Sequence, residues 1–140
     1  MITRLNPNTI HLGGEKVLVN DLATSEVLLP GLLIETFLTG TVHRYRRHAT
    51  AGGTCKTVAL DQPVANKGVD DFYSVNDLVE AGVMAPGATV WGMVASGQNI
   101  VAGAKLESNG DGTFKAGTTN PIAIACESKN GFGRIRVEFL

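Results

Sequence analysis

The chain has two cysteines in 140 residues, Cys55 and Cys126, and no C-x-x-C spacing. Two are too few for a disulfide framework or a paired-thiolate zinc motif, which leaves two buried thiols or one bridge between them. Charge is also scarce: 18% of residues carry it, and 12 basic against 13 acidic side chains leave a net −1. Duplex binding draws on surplus Lys and Arg facing phosphates, so a nucleic-acid partner is not expected. The longest apolar stretch, Val27 to Ile34, is interrupted by Pro30-Gly31. It stops far short of the ~20 residues that a membrane helix requires. The opening Met1-Ile2-Thr3-Arg4-Leu5-Asn6-Pro7 turns polar at once, without the apolar stretch of a secretory signal. Together these features lead us to expect a soluble protein made in a reducing cytoplasm, with no membrane partner.

Reactive constellations are missing as well. There is no G-x-S-x-G elbow, and Ala95-Ser96-Gly97 lacks its frame. Cys126 follows the alternating run Ile122-Ala123-Ile124-Ala125, which reads as core strand rather than the electropositive, open setting of a catalytic thiolate. His43 and His48 are five apart, the wrong spacing for a zinc helix, and in a strand they point to opposite faces; both read as solvated. His11 has no acid or cysteine beside it. Asn109-Gly110-Asp111-Gly112-Thr113 looks like a calcium loop only until its closing position, where Asn120 stands in place of Glu. As a tight turn the same string makes full sense, because Asn-Gly and Asp-Gly accommodate positive φ. Gly97 to Gly103 lacks the Gly-Lys-Ser/Thr ending of a phosphate loop. The expectation is no catalytic residue, no metal and no cofactor.

What the chain has is glycine and alternation. Seventeen glycines and 44% hydrophobic residues suit a turn-rich β protein. A chain of this length buries roughly 68–70% of its unfolded surface, enough for a hydrophobic core in one domain. Strands are predicted at Val90–Ser96, Ile100–Leu106, Thr113–Ala116, Ile122–Glu127 and Arg134–Phe139, separated by Gly97-Gln98-Asn99, Asn109 to Gly112 and Lys129-Asn130-Gly131. The last is the cleanest: Ile135, Val137 and Phe139 point one way, Arg134, Arg136 and Glu138 the other. Trp91, Ile124, Val137 and Phe139 are expected in the core. Upstream, Cys55 to Asp61 reads as a strand with Val58 and Leu60 on one face, and Gln62 to Val69 as loop. One short helix is expected over 74–81, with Ser74 as cap, Asp77 completing a capping box and Gly82 as its stop.

Residues 1–27 differ from the rest. Asn6-Pro7-Asn8 is turn-like, Gly13-Gly14 is flexible, and Lys16 to Asn20 is a single strand candidate. Such a leader has too few apolar residues for a core of its own, so it lies across the domain or reaches onto a neighbour. The most charged stretch, His43-Arg44-Tyr45-Arg46-Arg47-His48, has an acidic counterpart in Asp70, Asp71, Asp77 and Glu80. The two groups are solvated surfaces, or they meet and steer association by charge complementarity.

Leu29-Pro30-Gly31-Leu32-Leu33-Ile34-Glu35, Gly40-Thr41-Val42 and His48-Ala49-Thr50-Ala51-Gly52-Gly53 resemble the first half of tailed-phage capsid cement (decoration) proteins. Ala59-Leu60-Asp61, Asp71-Phe72-Tyr73, Gly97 to Leu106, Asp111-Gly112, Ala123-Ile124-Ala125 and Arg134-Ile135-Arg136-Val137 continue in that family's order. The resemblance spans roughly residues 28–138, and the leader matches least. It implies a small all-β, barrel-like body (28–140) with an N-terminal arm (1–27), sitting on the outside of an icosahedral head. Partners would be the major capsid protein and two further copies in a trimer, and the work would be to reinforce the shell against packaged DNA. On that reading Asn6, Pro7, Ile10, Leu12, Val17 and Val19 of the arm are the candidate capsid contacts. Arg44, Arg46 and Arg47 against Asp70 and Asp71 are the candidate trimer contacts. The alternative is a small β-barrel carbohydrate- or ligand-binding module that stacks its ligand on Tyr45, Tyr73 and Trp91. A hydrolase would need an apolar pocket holding a perturbed acid or histidine.

Overall fold

A computed structural model of the chain describes residues 9–19, 22–63 and 67–140. The described residues form thirteen strands: β1 (His11–Gly13), β2 (Lys16–Val19), β3 (Ile34–Thr39), β4 (Val42–Arg47), β5 (Thr57–Ala59), β6 (Ala81–Met84), β7 (Thr89–Val94), β8 (Asn99–Ile100), β9 (Lys105–Ser108), β10 (Phe114–Ala116), β11 (Ala123–Ala125), β12 (Lys129–Asn130) and β13 (Gly133–Phe139). The fold is all-β and barrel-like, as expected.

The last third closes on itself. Strands run β7-β10-β9-β11-β13, and β13 returns to pair with β7, completing a five-strand barrel. The closing seam is long, from Gly133↔Val94 to Glu138↔Thr89. Inside, Ile135, Val137 and Phe139 of β13 are buried, while Arg136 and Glu138 face out, the alternation read from the sequence. Phe114 fills the centre and meets Phe139 edge-on, with ring centroids 6.2 Å apart. Its ring needs Gly92 opposite, since a Cβ there would lie 2.5 Å from Phe114.

The rest of the chain builds a flank against this barrel. One part is the three-stranded sheet β2-β6-β5, and another is the hairpin β3–β4, in register from Ile34↔Arg47 to Thr39↔Val42. Their core gathers Leu28, Leu32, Ile34, Tyr45, Ala59, Tyr73, Val79 and Ala81 around Met93 of the barrel strand β7. Conversely, Leu33, Val58, Leu60, Val69 and Met84 of the flank belong to the barrel's apolar cluster. The two regions therefore interlock. The bend at Pro30-Gly31 is tight: Gly31 has φ 101°, and a Cβ there would lie 2.8 Å from the Trp91 carbonyl oxygen. Gly112, at φ 86°, backs onto the Leu33 carbonyl, where a Cβ would lie 3.1 Å from the oxygen.

The described part of the leader lies across this body. β1 pairs antiparallel with β7, and β2 with β6. Asp61, itself buried, accepts hydrogen bonds from the Ile10 amide at 2.9 Å and the Thr9 hydroxyl at 3.1 Å, which pins the entry of β1.

Several sequence expectations are corrected. The helix over 74–81 is a turn followed by the start of β6. The Ser74 amide donates to the Asp77 carboxylate at 2.8 Å and the Asp77 amide to the Ser74 carbonyl at 2.9 Å, while Asn76 takes φ 74°. Two helical turns carry too few internal bonds to compete, and the Val79 amide bonds Leu22 while the Glu80 carbonyl accepts from Leu60. The strand predicted at Ile100–Leu106 is split by a turn into β8 and β9. Cys126 lies beyond the end of β11 and is exposed, Cys55 is buried, and both are free thiols. Ile124 and Trp91, expected in the core, are half-buried.

Candidate docking surface

Polar groups inside the body are used to hold it together. His48, expected to be solvated, is buried, and its Nδ1 shares a 2.6 Å hydrogen bond with Ser108 Oγ of β9. Buried Glu107 accepts from the Thr119 amide at 3.0 Å. Tyr73 donates its hydroxyl to the Leu60 carbonyl at 2.6 Å, and burial pushes its pKa up to about 12. Burial likewise raises the Cys55 thiol to about 11. In the 109–113 turn, burial pushes the Asp111 carboxyl up, but bonds from Thr113 and Asn109 and the nearby Arg47 outweigh it and hold it below its ordinary value. The turn closes on itself, with both the amide and hydroxyl of Thr113 donating to Asp111. Among the described residues, no three His, Cys, Asp or Glu side chains gather where they could hold a metal ion.

The basic hairpin spends its charge within the chain. Arg44 donates to the Asn76 side-chain oxygen at 2.7 Å, Arg46 pairs with Glu35 at 3.2 Å, and Arg47 with Glu26 at 3.4 Å. Arg46 also covers the Phe37 ring at 4.6 Å. Asp70 is held by Arg134 at 2.7 Å, and the Asp71 carboxylate accepts from the Gly68 amide at 2.7 Å. The expected meeting of Arg44, Arg46 and Arg47 with Asp70 and Asp71 does not occur within the chain, and nearer partners take up these charges. Arg134, read from the sequence only as an outward residue of the last strand, is a clamp. Its guanidinium donates to the carbonyls of Pro30 and Val69 besides Asp70, tying the barrel wall to the flank. A basic residue at a strand's start gives no sign of such a role, because its partners lie 64 to 104 residues away.

Apolar surface collects instead along the flank. Of the arm residues expected to contact a partner, Ile10 is fully buried in the chain's own core, where its side chain is unavailable. Asn6 and Pro7 lie outside the described residues. Leu12, Val17 and Val19 are exposed, Val17 at 67%. Leu18, not singled out from the sequence, is 52% exposed on the opposite face of the same strand. Val17 and its cross-strand neighbour Val83 line a cleft of about 600 Å3 with His11, Glu15 and Met84. Val83 also borders a second cleft of about 440 Å3, which reaches Val19, Glu35, Lys56 and His48. A third, of about 180 Å3, lies by Leu18 and is lined by Lys16, Asp61 and Glu80.

Among the described residues, the backbone of β2 is open on one side. Lys16 faces Met84, and the Ala85 amide donates to the Glu15 carbonyl at 3.0 Å, so Glu15 and then Val17 and Val19 turn their backbone groups to β6. Met84 agrees, sending its own amide the other way, to the Lys56 carbonyl at 2.8 Å. The amides and carbonyls of Lys16 and Leu18 therefore point away from the sheet, and nothing among the described residues pairs with them. Tyr45 and Tyr73, expected to stack a sugar on the alternative reading, are 1% and 0% exposed and face the flank core.

The arrangement defines a class: a small closed β-barrel bearing an interlocked β flank with an open, apolar margin. No family model matches the chain, and no curated protein matches it. Among solved structures it is similar to the N base of the head fiber protein gp8.5 of bacteriophage phi29, at a TM-score of 0.62 and 14% sequence identity. The likeness covers 90% of this chain and 95% of the other, and it is a likeness of fold.

Proposed function

We propose that this chain is a structural component of a tailed-phage head, a cement or decoration protein that binds the outer surface between major capsid subunits and stiffens the shell. The observation that carries the proposal is the fold shared along nearly the whole chain with the base of a phage head fiber. The ordered family fragments from residue 28 to 138 support it too. So does the margin of exposed Leu12, Val17, Leu18, Val19 and Val83, which gives apolar area for a partner to cover. On this reading the protein works by contact rather than turnover, and it needs no cofactor. Assembly of three copies around a local three-fold axis of the head belongs to the same proposal, since several modest contacts then act together through effective concentration.

The test is direct. Purified protein is mixed with heads lacking it, the heads are pelleted, and the pellet is imaged. Co-sedimentation with new density on the outer surface at lattice-related positions is the expected result. Protein that stays in the supernatant at saturating concentration, with unchanged head density, would overturn the proposal.

A further inference from the structure

We propose that the open side of β2 is a self-association site at which a second copy of this chain adds its own β2 antiparallel about a two-fold axis through Val17. The inference stands independently of head binding. Open edges in soluble β proteins are ordinarily blunted by shortness, an edge lysine, proline, a bulge, inward charge or a covering loop. β2 is four residues long and carries Lys16, but it has no proline, pairs in unbroken register with β6, and shows apolar side chains on both faces.

The sequence of the edge selects the occupant. Only Lys16 and Leu18 turn their backbone groups outward, so a partner strand bonds at those two positions. In the two-fold arrangement Lys16 lies opposite the partner's Leu18, and Leu18 opposite the partner's Lys16. Both outward amides and both outward carbonyls of each copy are then satisfied, while Val17 faces the same residue of the other copy in the closer, non-hydrogen-bonded pair. Shifting the register to centre on Lys16 would set two ammonium groups face to face, an unfavourable pairing. Centring on Val17 instead carries each Lys16 beside the partner's Leu18, next to the cleft that Glu80 lines, so charge is complementary across the seam. On the other face, Val17 and Val83 of both copies form one apolar strip. The contact is isologous and stops at two copies. It leaves the basic hairpin untouched, so it is compatible with a three-fold contact elsewhere on the molecule.

Cross-linking and sedimentation test it. In a Cys126→Ser background, which removes the exposed native thiol, Val17→Cys is expected to form a disulfide-linked dimer under mild oxidation. Paired Cα atoms at such a site fall within disulfide range. Leu38→Cys, at the exposed tip of the β3–β4 hairpin, is the control and is expected to form no disulfide-linked dimer. By sedimentation the unaltered chain is expected to show a concentration-dependent twofold rise in mass. Leu18→Pro deletes only an outward-pointing amide, a change that edge strands tolerate. It is expected to weaken dimerisation about tenfold or more, and Val17→Lys, which sets like charges on the axis, by a similar factor. Circular dichroism unchanged from the parent shows that both variants remain folded. A monomer at every concentration would overturn the proposal. So would cross-linking of Leu38→Cys as fast as Val17→Cys, or self-association that neither Leu18→Pro nor Val17→Lys alters.

Discussion

The barrel and the flank are made of the same element and hold together differently. In the barrel, five strands share hydrogen bonds around a closed ring, and the interior is dominated by two facing phenylalanines and branched aliphatics. In the flank, strands are divided between a three-stranded sheet and a hairpin, several links are isolated bridges such as Ala23↔Leu78 and Leu28↔Tyr73, and the core uses tyrosines that need polar partners. Closure removes edges, whereas a flank assembled from separate pieces leaves strands at its margins, β2 among them. The difference assigns stability chiefly to one region and contact surface to the other.

The strongest way to break that comparison is at the barrel centre. Phe114→Ala empties the space that Gly92 leaves for the ring, and it is expected to cost about 3–5 kcal/mol, read from the midpoint of urea unfolding. A loss no larger than that of a surface substitution would show that the barrel is not the stabilising region.

Alkali probes the flank through Cys55. The unfolded thiol ionises near 9.0 and the folded one near about 11, so the folded state keeps the proton longer. That contribution is full below pH 9 and lost as pH rises toward 11, amounting to roughly 2–3 kcal/mol over the window. Cys55→Ala is expected to flatten this part of the stability–pH curve, leaving the alkaline ionisation of Tyr73 to shape the rest.

The smallest effect is expected on the hairpin. Arg47→Ala removes an ion pair to Glu26 whose two side chains are both more than 40% exposed. It is expected to change stability by about 0–1 kcal/mol, measured in the same unfolding experiment. A larger loss would mean that Arg47 also works through the Asp111 turn.

The legibility of the two regions differs for the same physical reason. β13 was readable because one face is buried along its whole length, so Ile135, Val137 and Phe139 alternate cleanly with residues facing water. The 109–113 turn was readable because its glycines and Asp111 settle its conformation locally. The segment 74–81 misled because Ser74 and Asp77 form the same side-chain bond in a turn as in a helix cap. What decided between them was the distant pairing of Val79 and Glu80. His48 was misplaced because its partner, Ser108, is 60 residues away. Of the candidate contact residues, Val17 and Val19 lie exposed on a strand that β6 holds along one side. Ile10 does not, because Asp61 draws its backbone inward. Leu18 escaped notice because an exposed leucine is significant only once the strand beside it is known to be open.

The Arg134 clamp has a mechanical consequence. One guanidinium grips two backbone carbonyls and a carboxylate, on the segment that leads into β3 and on the β5–β6 connection. A tug applied at the outer rim of the molecule is therefore delivered to the ring wall as tension along several bonds at once rather than as peeling of one. Bonds in parallel share a pull that would open a row of them one by one.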